Sequence, residues 1–335
     1  MKKIKMFIVL LSFFTSLFSG RYAGDFMEIG SGIRALSMGG AYSAIADDGS
    51  GIYWNTAGIA KVRKSQVSLM RAYLYDGLAT YDHLTFCQPL PANVTIGFNW
   101  TRLTIDDIPV FKESHIVGTT VDQRSTYPEL HLSAIPDDTF ASHDDMFQFG
   151  FSKNLSKKLN IGWLFFEIPM DYYFGGNFKY IKRDIYENIG TGIGFDFNLL
   201  LETDLSILFD YDWLGKFSTG LNFQDIGGTS ITWDTESSHE DEILFNTKLG
   251  FALNQPLPFW NSNLILSYDH DYVYQGTEHF GLEYSYKKIL AVRAGHYKDN
   301  FSAGLGLSLY NFTIDYGFIT NVLGNTNRVG VKIKF

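Results

Sequence analysis

The sequence predicts an all-β protein: a transmembrane antiparallel β-barrel of fourteen strands, with sixteen as the alternative count. Three observations predict it. Large apolar and small polar residues alternate along long runs. The chain opens on a segment of the kind that directs export. It closes on an alternating stretch that ends in Phe335.

Composition sets the frame. The chain has 335 residues, 45% of them hydrophobic and 19% charged. That balance belongs to an ordered chain, because disorder needs low hydrophobicity and high charge density. A formal net charge of −9 excludes a nucleic-acid binder built on a basic stripe. One cysteine, Cys87, excludes an intramolecular disulfide framework and any multi-cysteine metal site. Aromatics reach 16% and glycine numbers 32, while the mean hydropathy is −0.05. A chain with a lipid-facing surface and a polar interior has that profile.

Residues 1–20 predict a signal peptide. Lys2, Lys3 and Lys5 precede an apolar run from Met6 to Phe18, and Ser19 and Gly20 are small enough for cleavage. The run is short for a membrane-spanning helix. Residues 21–65 break the strand pattern, and residues 66–335 carry it.

Within that last region bulky residues fall on every second position. Val94, Ile96, Phe98 and Trp100 alternate with small or polar residues, as do Phe147, Phe149 and Phe151. The same holds for Ile193, Phe195 and Phe197, for Phe280, Leu282 and Tyr284, and for Leu305, Leu307 and Leu309. In a strand such spacing puts the two sets on opposite faces. Short connections are expected at 88–91, 154–158, 255–258 and 287–288, and long loops at roughly 103–145, 169–188 and 227–241. The runs at 177–185 and 205–212 are the weakest strands; without them sixteen becomes fourteen. The first strand running outward puts both Gln-Pro-Leu-Pro turns and the C-terminus on the periplasmic side. The ending at Phe335 resembles the C-terminal assembly signal of bacterial outer-membrane barrels.

Recognisable residues lie before the first strand. Arg34-Ala35-Leu36, Met38-Gly39-Gly40-Ala41, Ala46-Asp47-Asp48 and Ile52-Tyr53-Trp54-Asn55 through Ala57-Gly58 resemble the start of PorV/PorQ-type outer-membrane proteins, within the FadL-like fatty-acid transporter superfamily. Gly220 to Gly227, followed by Ile231-Thr232-Trp233, is similar to a later strand and loop of that family. Thr56 stands where the family usually has proline, which would favour a helix start. The resemblance implies that residues 21–65 fold back as a hatch inside the barrel. Arg34, Gly39, Gly40, Asp47, Asp48, Trp54, Asn55 and Gly58 are then its motif residues. A peptide close to a wall favours glycine on both surfaces, so Gly39, Gly40 and Gly58 are expected to face inward Gly192, Gly194, Gly304 and Gly306. Asp47 and Asp48 are candidates to cap backbone N–H groups or to pair with Lys332 and Lys334, beside the plain reading of an Asx turn before Gly49.

Catalytic chemistry is scarce. No GxSxG elbow and no HxxxH metal spacing occurs. His143-Asp144-Asp145 and His239 to Glu242 are acidic clusters suited to solvated loops, or to a divalent cation bridging lipopolysaccharide. No catalytic residue, resident metal or cofactor is expected, and no enzyme. The expected role is passage of hydrophobic or amphipathic molecules across the outer membrane of a Gram-negative-type bacterium. Ile105, Ile108, Val110 and Phe111 are the candidate ligand loop. A PorV-like partner role in type IX secretion and a structural or adhesive surface barrel are the alternatives. Expected partners are the lipid bilayer, the barrel-assembly machinery, and a hydrophobic ligand or secretion proteins.

Overall fold

A computed structural model describes residues 24–111, 136, 138–160, 167–272 and 277–335. The signal-peptide expectation lies outside these residues. Sixteen strands are present among them, and fourteen close into a ring. In chain order the first six are β1 Gln66–Leu74, β2 Ala79–Leu90, β3 Val94–Val110, β4 Asp138–Asn160, β5 Glu167–Ile185 and β6 Asn188–Asp204. Next come β7 Lys216–Gln224, the short pair β8 Thr229–Trp233 and β9 Glu240–Ile243, and β10 Asn246–Leu257. The last six are β11 Ser262–Asp271, β12 Thr277–Tyr286, β13 Leu290–Tyr297, β14 Asn300–Leu309, β15 Phe312–Ile319 and β16 Thr326–Lys334.

Neighbours pair antiparallel, and β16 pairs with β1, with Gln66 opposite Lys334. The ring is therefore an outer-membrane-type barrel with no free edge, which is what a sheet needs where no water can satisfy its backbone. β8 and β9 stand apart from the ring. Above the point where β7 leaves β6, β8 takes over the pairing, with Gly192 opposite Ile231. The barrel wall therefore has fourteen strands, and the alternative of sixteen is not what the wall shows.

The alternation sorts as the physics requires. Phe149, Phe151, Ile193, Phe195, Leu305 and Phe312 point outward and are exposed, as lipid-facing residues are. Their neighbours Gln148, Asn177, Asn198 and Asn222 are buried on the lumen side. Phe335, the turn after β2 and the turn after β10 lie at one end of the barrel, as their strand registers dictate.

Three loop expectations need correction. Residues 169–188 are no long loop: β5 runs to Ile185 and turns tightly through Tyr186 and Glu187 into β6. Residues 154–158 are no turn, because β4 continues to Asn160. The weak strand at 177–185 is genuine β5. The one at 205–212 is instead a short helix, Leu205–Phe209, started by Asp204, whose side chain accepts from Ser206 N–H. The first long loop is shorter than expected, since β3 reaches Val110 and β4 starts at Asp138.

The chain before β1 is almost wholly buried from Gly30 to Val62. It holds short helices Asp25–Glu28, Ile33–Ser37 and Gly51–Trp54 and a 3-10 turn Thr56–Lys61. Ile33–Ser37 packs against β13 to β16, and Thr56–Lys61 against β3 to β6. The wall answers with inward glycines. A Cβ on Gly295 would sit 2.0 Å from Gly39 N, and one on Gly175 would sit 2.3 Å from Ala57 N. Gly304 likewise faces Ser37. Gly192 and Gly194 do not meet this segment, contrary to expectation. They face Ser230, Ile231 and Thr229, so their missing side chains make room for β8. Gly306 faces Asp315 and Arg293 on the wall itself.

Candidate functional site

The motif residues lock the N-terminal segment to the wall. Arg34 donates through Nε and Nη2 to both carboxylate oxygens of Glu283, at 2.8 and 2.9 Å, and through Nη1 to Asp47. Glu283 also accepts from Arg293, which reaches on to Asp315. A charge row thus crosses from the segment through β12 and β13 to β15. Fully partnered charges are the condition under which such burial is tolerable.

Asp48 does two jobs at once. Oδ2 accepts from Lys332 at 2.7 Å, and Oδ1 accepts from the Ser50 N–H and hydroxyl. Both the pairing and the Asx-turn readings hold here; Lys334 is not the partner. Burial works to raise the Asp48 carboxyl, but the Lys332 and Arg34 charges outweigh it and hold the group below its ordinary range.

Asn55 caps the turn after it: its side chain accepts from Ala57 N–H and donates to the Ser43 and Leu199 carbonyls. Thr56 turns its departure from the family pattern to use. Its N–H donates to Asn198 of β6, a bond proline lacks, and its hydroxyl donates to the Ile52 carbonyl. Gly58 lies against Ala46, where a side chain would collide with the carbonyl oxygen at 2.3 Å. Residues outside the motif hold the middle of the segment. Asp269 of β11 accepts from the N–H groups of Tyr42 and Ser43, and His279 Nδ1 lies 2.6 Å from the Gly39 carbonyl. Their inward strand positions hinted at this, but the partner they meet is set by barrel closure.

Above the segment, at the end away from Phe335, lies a cavity of about 470 Å³. Leu36, Gly39, Gly40, Tyr53 and Trp54 of the segment line it, with Leu74, Met146, Tyr297 and Ile319 from the wall. Helix Asp25–Glu28 and Ile243 of β9 add to its rim. Size and mixed lining suit a small ligand with an apolar body. Three cations on its surface are paired: Lys179 with Asp196 and Asp225, Lys248 with Asp271, and Lys298 with Glu28.

The proposed ligand-loop residues lie elsewhere. Ile105, Ile108 and Val110 are strand residues of β3 and Phe111 follows them, beyond a bulge at Asp106 and Asp107. None of the four lines the cavity. The acidic clusters are also strand-borne. Asp144 pairs with Arg183 and Asp145 with Arg102. Among the described residues no group of three or more His, Cys, Asp or Glu is arranged to hold a metal ion.

With this geometry in hand, the chain can be placed among known proteins. No protein-family model matches it, and no curated protein does. Solved structures do. The Pseudomonas putida toluene transporter TodX superimposes with a TM-score of 0.51 at 9% identity, covering 90% of this chain and 96% of that one. A TodX monoaromatic hydrocarbon channel carrying a deltaS2S3 mutation gives 0.52 at 10%, covering 90% and 97%. At such identities the likeness is one of fold.

Proposed function

We propose that this protein is a non-enzymatic, FadL-like outer-membrane channel through which hydrophobic small molecules pass, with residues 21–65 as its hatch. The cavity carries the proposal: it sits at one end of a fourteen-stranded barrel and is floored by the segment that fills the lumen beneath it. A ligand of apolar body rests against Tyr53 and Trp54, and the floor must yield before it goes further. Residues 1–20 serve export as a signal peptide, and Phe335 marks the chain for the barrel-assembly machinery. The hydrocarbon-channel fold of TodX supports the ligand class. The finer PorV/PorQ assignment rests on the N-terminal motif, and with it the alternative role in type IX secretion.

Uptake tests the proposal. Proteoliposomes holding the purified barrel should take up toluene-sized probes faster than empty vesicles, and a Gly39→Trp variant should slow this by crowding the floor. Uptake no faster than through empty vesicles, with co-purification of a secreted protein, would favour secretion instead.

A further inference from the structure

The cavity holds a fourth cation, and it is unlike the other three. Arg328 of β16 is 4% exposed and lines the cavity. Its Nη2 donates to the Ile29 carbonyl at a long 3.4 Å. Its Nε and Nη1 have no hydrogen-bond partner among the described residues, and no carboxylate lies within ion-pairing distance there. The acids on the same surface do not relieve it. Asp196 and Asp225 serve Lys179, Asp271 serves Lys248, Glu28 faces Lys298, and Asp25 is engaged elsewhere. Leaving donors of a buried charged group unmade is costly, so a guanidinium in this state is set to receive an anion.

We propose that Arg328 is the anchor for the carboxylate of a compact aromatic acid bound in this cavity. The reading rests on the passage function above and narrows its ligand class. Charge selects the head group: guanidinium matches carboxylate in geometry and makes hydrogen bonds about twice as strong as neutral ones. The surroundings select the body. Tyr53 and Trp54 contact each other edge-on on the floor, and His279 stacks on Tyr297 at 4.3 Å on the wall. Flat aromatic surfaces on two sides, in about 470 Å³, fit one ring with a short acidic arm better than a long alkyl chain. Arg328 thereby separates this cavity from one built only for neutral hydrocarbons.

Equilibrium dialysis with the detergent-purified full chain tests this, using phenylacetate, phenylethanol, toluene and palmitate as probes. Wild type should bind phenylacetate about 10- to 100-fold tighter than phenylethanol, the span expected for a charged hydrogen bond. Arg328→Met should erase that preference, and Arg328→Lys should restore part of it. Heat-modifiable migration identifies any variant that fails to form the barrel, in which case the Arg328→Lys comparison stands alone. Equal binding of acid and alcohol by wild type overturns the proposal, and so does a preference that survives Arg328→Met. Preference for palmitate over phenylacetate overturns the compact aromatic body. Toluene binding without phenylacetate binding sinks the carboxylate site but leaves the passage function standing, whereas failure to bind any probe removes both.

Discussion

Arg34→Met removes the central tie between the N-terminal segment and the wall, and Cys87 offers a built-in reporter of the result. Arg34 and Glu283 are both well shielded, with side chains 13% and 7% exposed, and two hydrogen bonds join them. Removing one partner of a buried pair costs about 3–5 kcal/mol. Glu283 keeps Arg293, so the lower end applies. A loss of about 3 kcal/mol raises the open population of the segment about 100-fold, at 1.4 kcal/mol per factor of ten. Cys87 faces the lumen, is fully buried, and clusters with Ile52, Ile59 and Val62 of the segment. A maleimide reaches it only when the segment departs, so its labelling rate in detergent measures that population. The variant should label about 100-fold faster than wild type. The double variant Arg34→Met/Glu283→Gln should recover part of the loss, because residue 283 then carries no buried charge left with only one of its two arginines. A single variant that labels no faster than wild type would refute the idea that this pair holds the segment.

Gly295→Leu should add about 1–3 kcal/mol of overpacking against Met38 and Gly39 and speed Cys87 labelling. Gly192→Leu, which crowds β8, should leave that rate unchanged while exposing residues 229–243 to protease. Asp48 contributes stability that is fully present above its ordinary value near about pH 4 and is lost as pH falls through its lower folded value. The gap in segment protection between wild type and Asp48→Asn should therefore be widest at neutral pH and narrow on acidification, as hydrogen exchange can show. Phe335→Asp should lower the yield of heat-modifiable barrel without changing ligand binding by the protein that does assemble.

Where one face of a strand meets lipid and the other a packed lumen, period-two reading works, and β12, β14 and β15 were legible for that reason. β5 was hidden because Tyr172, Tyr173 and Phe174 are aromatic on both faces, and Gly175-Gly176 looks like a turn. Gly175 is there for the close passage of Ala57. β4 was cut short at Asn154 because Ser156, Lys157 and Lys158 carry no alternation. The Asp48–Lys332 pair was legible from charge and strand face. Arg34 with Glu283 was not, since their meeting depends on which strands surround the segment. The cavity was not legible either: its lining comes from more than ten separate stretches of chain, so no local motif announces it.

The ties of the N-terminal segment also bear on how the molecule is made. Arg34 waits for Glu283, 249 residues later, Asp48 for Lys332, 284 later, and the Ile29 carbonyl for Arg328, 299 later. Contacts of such sequence separation form slowly, because a long loop must close before any of them rewards it. The part of the described chain that is synthesised first is therefore among the last to reach its final bonds. Until β16 arrives beside β1, Asp48 lacks Lys332 and the Ile29 carbonyl lacks Arg328. An assembly intermediate lacking only the final strand would leave these two points of the segment hydrated and open to protease. Closure of the seam and docking of the segment should consequently appear as a single kinetic event.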